Sequence, residues 1–245
     1  MWIPNVDQIK SVHEELVVLF REDDDPISPP GIRSEDLLQS AASRPLTSLG
    51  GVDKYKNTLQ KVAALFHSLT KNHAFHNGNK RTATVVLLTS LYRNDLRLKE
   101  NVTDDVLFDF VLSVTSDKFP NEDNSFSVDE VVSEIAEWLR RHTQKLAGKS
   151  GSMKIVDFLA KCRSVGANVK KTKTGSYAVS TTFGNIRVSG STPEMSGPVV
   201  RTYLKKLGLT ASASGFDQRE FEDGVSPERE QVRRYMVTLR RLAKT

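Results

Sequence analysis

His73-Ala74-Phe75-His76-Asn77-Gly78-Asn79-Lys80-Arg81-Thr82 is a polar run set between two apolar helical patterns. Upstream, Leu59, Val62, Ala63, Phe66 and Leu69 recur at helical spacing. Downstream, Thr82–Arg93 resumes as helix and carries Val85, Val86, Leu87, Leu88 and Leu91. That helix is apolar almost all round, so it is expected to be central and buried. A polar loop opening onto a buried helix sets backbone N–H groups and a positive dipole end at one spot, which is an anion site. Gly78 lets backbone approach closely, and Lys80 and Arg81 add charge for phosphate oxygens. His73 is a group able to take a proton near neutral pH. The amide oxygen of Asn77 can coordinate a hard cation, although a carboxylate does so better. The same residues can also merely cap a helix, and spacing alone leaves both readings open. His67, His73 and His76 lack a nearby acid and the i,i+4 face of a helical zinc site, so zinc is not expected there.

The pattern continues outward as helix. Ile9, Val12, Leu16 and Leu19 mark an amphipathic first helix with Asn5 as its cap. No helix can cross the loop from Asp23 to Gly31, which holds Pro26, Pro29 and Pro30. Ser34 then caps a short helix carrying Leu37, Leu38 and Ala41, closed by Pro45. Two more helices are expected near Thr103–Ser116 and Val128–Leu146.

Composition divides the chain in two. Its 245 residues include 35 Lys and Arg against 30 Asp and Glu, a formal charge of +5. Residues 1–147 carry 17 basic and 22 acidic side chains, whereas residues 148–245 carry 18 and 8, so the halves have net charges of −5 and +10. The seam falls at the Gly/Ser-rich stretch Gly148-Lys149-Ser150-Gly151-Ser152. A single cysteine excludes a disulfide framework or a cysteine-rich zinc module. No apolar run approaches the roughly 18 residues of a membrane-spanning helix. The N-terminus does not read as a signal peptide, so the expected compartment is the cytoplasm. Beyond the seam, Ile155, Phe158, Leu159 and Cys162 suggest a helix, and Val169–Thr182 and Asn185–Val188 alternate as short strands. Pro198–Leu207 reads as a second helix ended by Gly208. Ser226-Pro227-Glu228 is a helix start, followed to Lys244 by a stripe of Val232, Tyr235, Met236, Leu239 and Leu242.

The polar run resembles the Fic/Doc family motif, a His-x-Phe pair followed by an acidic residue and then Gly-Asn-Lys-Arg or a close variant. With Lys80 where many Fic proteins have glycine, it resembles the death-on-curing (Doc) branch. Gly31-Ile32-Arg33-Ser34-x-x-Leu37-Leu38-x-Ser40-Ala41-x-x-Arg44-Pro45 is similar to the helix near the start of Doc proteins. The resemblance covers about residues 1–146 and implies a mainly α Fic/Doc domain. It also implies transfer of part of ATP, or another nucleoside triphosphate, to a protein Ser or Thr hydroxyl. His73 would be the general base, and Phe75 would anchor the loop. Gly78, Asn79, Lys80 and Arg81 would bind phosphates, and the loop with Pro29, Gly31 and Ile32 would dock the target. In the Doc branch the chemistry is phosphorylation of a translation elongation factor, and a Phd-like antitoxin covers the site. The family's acidic position, which serves Mg2+, is Asn77 here.

Residues 153–209 resemble the HicA-like toxin fold, a small α+β domain (α-β-β-β-α) related to double-stranded RNA-binding domains. Tyr177 stands where that family has its histidine, and no histidine follows His142, so a nuclease is not expected. Lys170, Lys171, Lys173, Arg187 and Lys205 supply charge for RNA phosphates. The expected organisation is therefore a transferase domain at 1–146, a linker at 147–152, an α+β domain at 153–210 and an extension with a helix at 211–245. The rival is a weakened Fic/Doc protein that binds RNA or protein through its basic part. Ser226-x-x-x-Glu230 resembles an inhibitory pattern of some Fic proteins, but so does Ser133–Glu137, which makes it uninformative.

Overall fold

The computed structural model describes residues 1–122, 126–145, 152–191, 193–209, 221 and 227–245. Most of the expected linker and the helix-starting Ser226 lie outside the described residues. The chain forms two compact units: Met1–Leu146 with Pro227–Thr245, and Ala147–Ser226. Among the described residues, no helix is long and apolar enough to cross a membrane.

The first unit begins with α1 (Val6–Leu19), started by a capping box in which Asn5 and Gln8 satisfy each other's backbone N–H groups. Its Ile9, Val12, His13 and Leu16 face inward. After the proline-rich loop, Ser34 accepts from Leu37 N–H to start α2 (Glu35–Ser43). A 3₁₀ turn at Arg44–Leu46 follows, then a two-stranded hairpin of β1 (Ser48–Leu49) and β2 (Val52–Asp53). At the centre, α3 (Thr58–Asn72) packs on α4 (Asn79–Arg93), whose residues from Arg81 to Tyr92 are all buried. An all-round apolar helix requires such a position, because it has no face to offer water. β3 (Leu96–Leu98), α5 (Asp104–Thr115) and α6 (Val128–His142) complete this stretch, α5 and α6 being capped by Thr103 and Ser127.

Two boundaries differ from the sequence expectation. α4 starts at Asn79 rather than Thr82, so Lys80 and Arg81 sit in its first turn. The polar first turn carries no apolar periodicity, which hid it. The helix expected to run to Leu146 stops at His142, and Thr143–Lys145 becomes β4, antiparallel to β3 with Leu98 opposite Thr143. Leu98, 2% exposed, belongs to the core that this pairing seals.

The second unit opens with β5 (Met153–Lys154) and α7 (Ile155–Ser164). The strands β6 (Asn168–Lys171), β7 (Tyr177–Ser180) and β8 (Asn185–Val188) form an antiparallel sheet in that order. Val169, Val179 and Ile186 lie in one register row, and Lys170, Ala178 and Arg187 in the next. Because side chains alternate, the two rows point to opposite faces. Val179, Ile186 and Val188 join a core with α7 and with α8 (Gly197–Lys206). β5 pairs with β9 (Glu194–Met195), a second small sheet that alternation over two residues cannot announce.

The chain then returns to the first unit as α9 (Pro227–Arg234) and α10 (Met236–Ala243), two helices rather than one, broken at Tyr235. Val232, Tyr235, Leu239 and Leu242 are buried in the core that holds α3 and α4. Polar contacts reinforce the docking. Arg93 and Glu228, nearly buried, pair at 3.1 Å, Arg240 and Asp23 pair at 2.8 Å, and Thr238 N–H donates to Asp104 Oδ1 at 2.9 Å.

Candidate active site

The loop between α3 and α4 is held at both ends by left-handed residues. His73, exposed, ends α3 with φ 48° and ψ 48°, and Gly78 starts α4 at φ 75°. A Cβ at Gly78 would also lie 2.9 Å from Ile27 Cδ1. Between them the turn is closed by Asn79, whose Oδ1 accepts Phe75 N–H at 3.0 Å and whose Nδ2 donates to Phe75 C=O at 2.8 Å. The segment containing Gly31 and Ile32 runs antiparallel alongside. Arg33 N–H donates to Ala74 O at 2.8 Å, His76 N–H donates to Gly31 O at 3.0 Å, and Ile32 bridges Phe75. No side chain caps α4, so its leading N–H groups face out of the helix end.

Of the two cations in that first turn, only Lys80 is partly accessible. It donates to the main-chain oxygen of Thr245 and, at 3.0 Å, to Thr245 Oγ1. Burial draws its pKa down from the ordinary lysine value. Arg81 is turned inward, 2% exposed, donating to Asp25 C=O at 2.8 Å with its guanidinium 5.0 Å from the Phe20 ring. Burial pulls its pKa down, partly opposed by Asp25 and Asp23.

Residues 3–91 match the family described as Fic/DOC. This segment is a Fic/Doc domain. The Toxin Doc of Mycolicibacterium smegmatis is 43% identical to this chain over 67 residues, which is 27% of this chain. The chain spans about half, 52%, of that relative's length. Fic/Doc proteins are typically phosphorylating or AMPylating transferases that use a nucleoside triphosphate and a metal.

The Fic/Doc domain has an organising residue that the motif does not contain. His13 stacks on Phe75 with ring centroids 4.0 Å apart. Its Nε2 accepts Gly31 N–H at 3.2 Å, which assigns the proton to Nδ1, and Nδ1–H donates to Thr82 Oγ1 at 3.0 Å. One imidazole thus joins α1, the Gly31 segment, the motif loop and α4. Burial, with Arg81 nearby, pushes its pKa down to about 4, so the ring is neutral. The sequence held one clue, a histidine on the apolar stripe of Ile9, Val12 and Leu16.

The metal of the Fic/Doc family finds a poor donor set here. Asn77 Oδ1 already accepts Gly78 N–H at 2.6 Å, and Nδ2 donates to Ser28 C=O at 2.8 Å. Residues 73–81 contain no carboxylate. Among the described residues, no three His, Cys, Asp or Glu side chains gather as a metal site. The residues present do not fit Mg2+, which takes carboxylate, phosphate and water oxygens.

In the second unit, the five basic residues singled out from sequence are all exposed but do not share a surface. Lys170 and Arg187 flank Ala178 on the sheet face opposite Val179. Lys171, in register with Tyr177, belongs to the other row set, Lys173 lies in the turn after β6, and Lys205 lies at the end of α8.

Proposed function

We propose that the Fic/Doc domain is a transferase that moves a phosphoryl or nucleotidyl group from ATP, or another nucleoside triphosphate, to a Ser or Thr hydroxyl of a protein. The observation that carries this is the arrangement of the loop. An exposed His73 ends α3, a short loop leads from it to an uncapped α4 start that carries Lys80, and a strand-like segment runs antiparallel to that loop at Phe75. The hydroxyl oxygen forms a bond to phosphorus as its proton passes to a ring nitrogen of His73. The bond to the leaving group breaks, releasing the nucleoside diphosphate if the γ phosphorus is attacked and pyrophosphate if the α phosphorus is attacked. A positioned base contributes about 10²–10⁴-fold, and charge at Lys80 and the α4 N–H groups stabilises the phosphate oxygens. Phosphate binding at Lys80 displaces Thr245 from it. Arg81 supports the site from within, through the Asp25 loop. The target docks along this segment as an added strand through Ile32, because both backbone groups of Gly31 are already bonded to His13 and His76. A metal, when bound, would neutralise phosphate charge; Asn77 leaves this chain poorly equipped to hold one, so its rate is low.

The similarity to a protein named Toxin Doc supports a toxin–antitoxin setting. We assign the target to the translation apparatus, such as an elongation factor, and a Phd-like antitoxin as the partner that covers the site. Lysate proteins incubated with ATP labelled on the α or the γ phosphate test the chemistry. Wild type and Asn77→Asp should label one band that His73→Ala does not, the Asp variant more strongly. If neither labels any protein, the transferase reading fails.

A second reading concerns the other unit. Residues 152–209 carry ten basic and two acidic side chains, and the row Lys170–Ala178–Arg187 spreads two cations over an open sheet face. This supports RNA binding through phosphates, without base recognition. Anisotropy titrations of labelled RNA should show affinity falling at least tenfold between 50 and 200 mM salt, on the order expected for several phosphate contacts. Salt-independent binding rules this mode out.

A further inference from the structure

We propose that Asn77 is a positioning residue that latches the proline-rich Pro26–Pro30 segment onto the motif loop, through a hydrogen bond that an amide can donate and a carboxylate cannot. The segment has few means of holding itself. Three of its five residues are prolines without N–H groups, and it belongs to no helix or strand. Two side chains of the motif reach it instead. Arg81 grips its leading edge at Asp25 C=O, and Asn77 Nδ2 grips Ser28 C=O. Ile27, 3% exposed, is pressed beneath Gly78 between these two anchors. The other end of the segment runs into Gly31, fastened to His13 Nε2 and to His76 N–H.

The chemistry of Asn77 fits this role on both of its atoms. Its oxygen faces a donor, Gly78 N–H, and its nitrogen faces an acceptor, Ser28 C=O. Aspartate in the same place would set a second acceptor against the Ser28 carbonyl at 2.8 Å with no proton between them. The carboxylate would have to turn away, and Ser28 would lose its partner. Asparagine therefore satisfies both of its neighbours, where the acid expected of the family would satisfy only Gly78 N–H. The functional consequence, that the latch limits entry of a target at Gly31–Ile32, rests on the transferase reading; the latch itself does not.

Amide hydrogen exchange on the full chain tests this with Asn77→Asp and Asn77→Ala. Both variants should speed exchange of the Gly31 and His76 amides by about 3–10-fold, the range expected from losing one net hydrogen bond. Amides in the middle of α4, from Val85 to Leu88, should keep their wild-type rates. Unchanged Gly31 and His76 rates in both variants overturn the latch. A rise shared equally by α4 also overturns it, because the change is then a loosening of the whole unit. Label transfer from ATP decides the earlier reading separately. Faster local exchange without transfer in any protein leaves the latch standing and removes the transferase, whereas raised transfer in Asn77→Asp without faster exchange does the reverse.

Discussion

His13 commits both ring nitrogens and one ring face to different parts of the Fic/Doc domain, so its protonation state matters to the fold. Its pKa is pushed from an ordinary 6.5 to about 4 by burial, and that of His67 is likewise pushed to about 4. Between these values the unfolded chain binds protons that the folded chain refuses, so stability falls as pH drops from 6.5 towards 4. Urea midpoints should decline steadily from about pH 7 to pH 4.5, and His13→Gln should flatten the slope; an equal slope in the variant would discharge His13 from this role. At Gly78, alanine must adopt a positive φ and press on Ile27, at a cost of about 1–2 kcal/mol in unfolding free energy, read from denaturant midpoints. The sequence made Gly78 legible, since a glycine before a buried helix signals a special backbone. Arg81 was harder to place. Its charge suggests a phosphate ligand, and only the fold shows that the Phe20 ring and the Asp25 carbonyl claim it.

Among the elements, α1, α2, α3 and α5 follow from caps and apolar spacing because both signals lie within a few residues of chain. α4 is legible in its buried body and not in its first turn, where functional polar residues replace the periodic ones. The end of α6 depends on a partner about 45 residues earlier, β3, and no local pattern announces such a pairing. α10 illustrates the same point. Its stripe states that Leu239 and Leu242 will be covered, yet says nothing about what covers them. The contact that fixes α10 on α5 is Asp104, which begins α5 and receives both Thr238 N–H and Thr238 Oγ1–H. Asp104→Ala should cost about 1–3 kcal/mol, because a partly buried N–H loses a charged acceptor. Comparison with Thr238→Val in a double-mutant cycle should give a coupling energy of at least about 0.5 kcal/mol; additivity would deny the contact.

For the molecule as a whole, the charge split and the packing treat the last helices differently. They count towards the basic half by sequence and belong to the acidic unit by packing. Glu15, Asp23, Asp104 and Asp105 receive the arginines and Thr238 of these helices, while Glu228 of α9 reaches the other way to Arg93 of α4. A fragment of residues 1–146 should accordingly melt at least 5 °C below the full chain or precipitate, since it lacks four buried side chains of its core, Val232, Tyr235, Leu239 and Leu242. A fragment as stable as the whole would show α9 and α10 to be ornament.

The discontinuity of the first unit also fixes an order of events at the ribosome. Ala147–Ser226 separates Leu146 from Pro227 by 80 residues. At synthesis rates of about 5–20 residues per second, the chain up to Leu146 waits roughly 4–16 s before Pro227 begins the helices that finish its core. During that interval α4 and α5 present an unsealed apolar face, so chaperone capture of the emerging chain should peak before residue 227 is made and decline after it. The core of the first unit is thus completed only after the 80-residue stretch that interrupts it has been made.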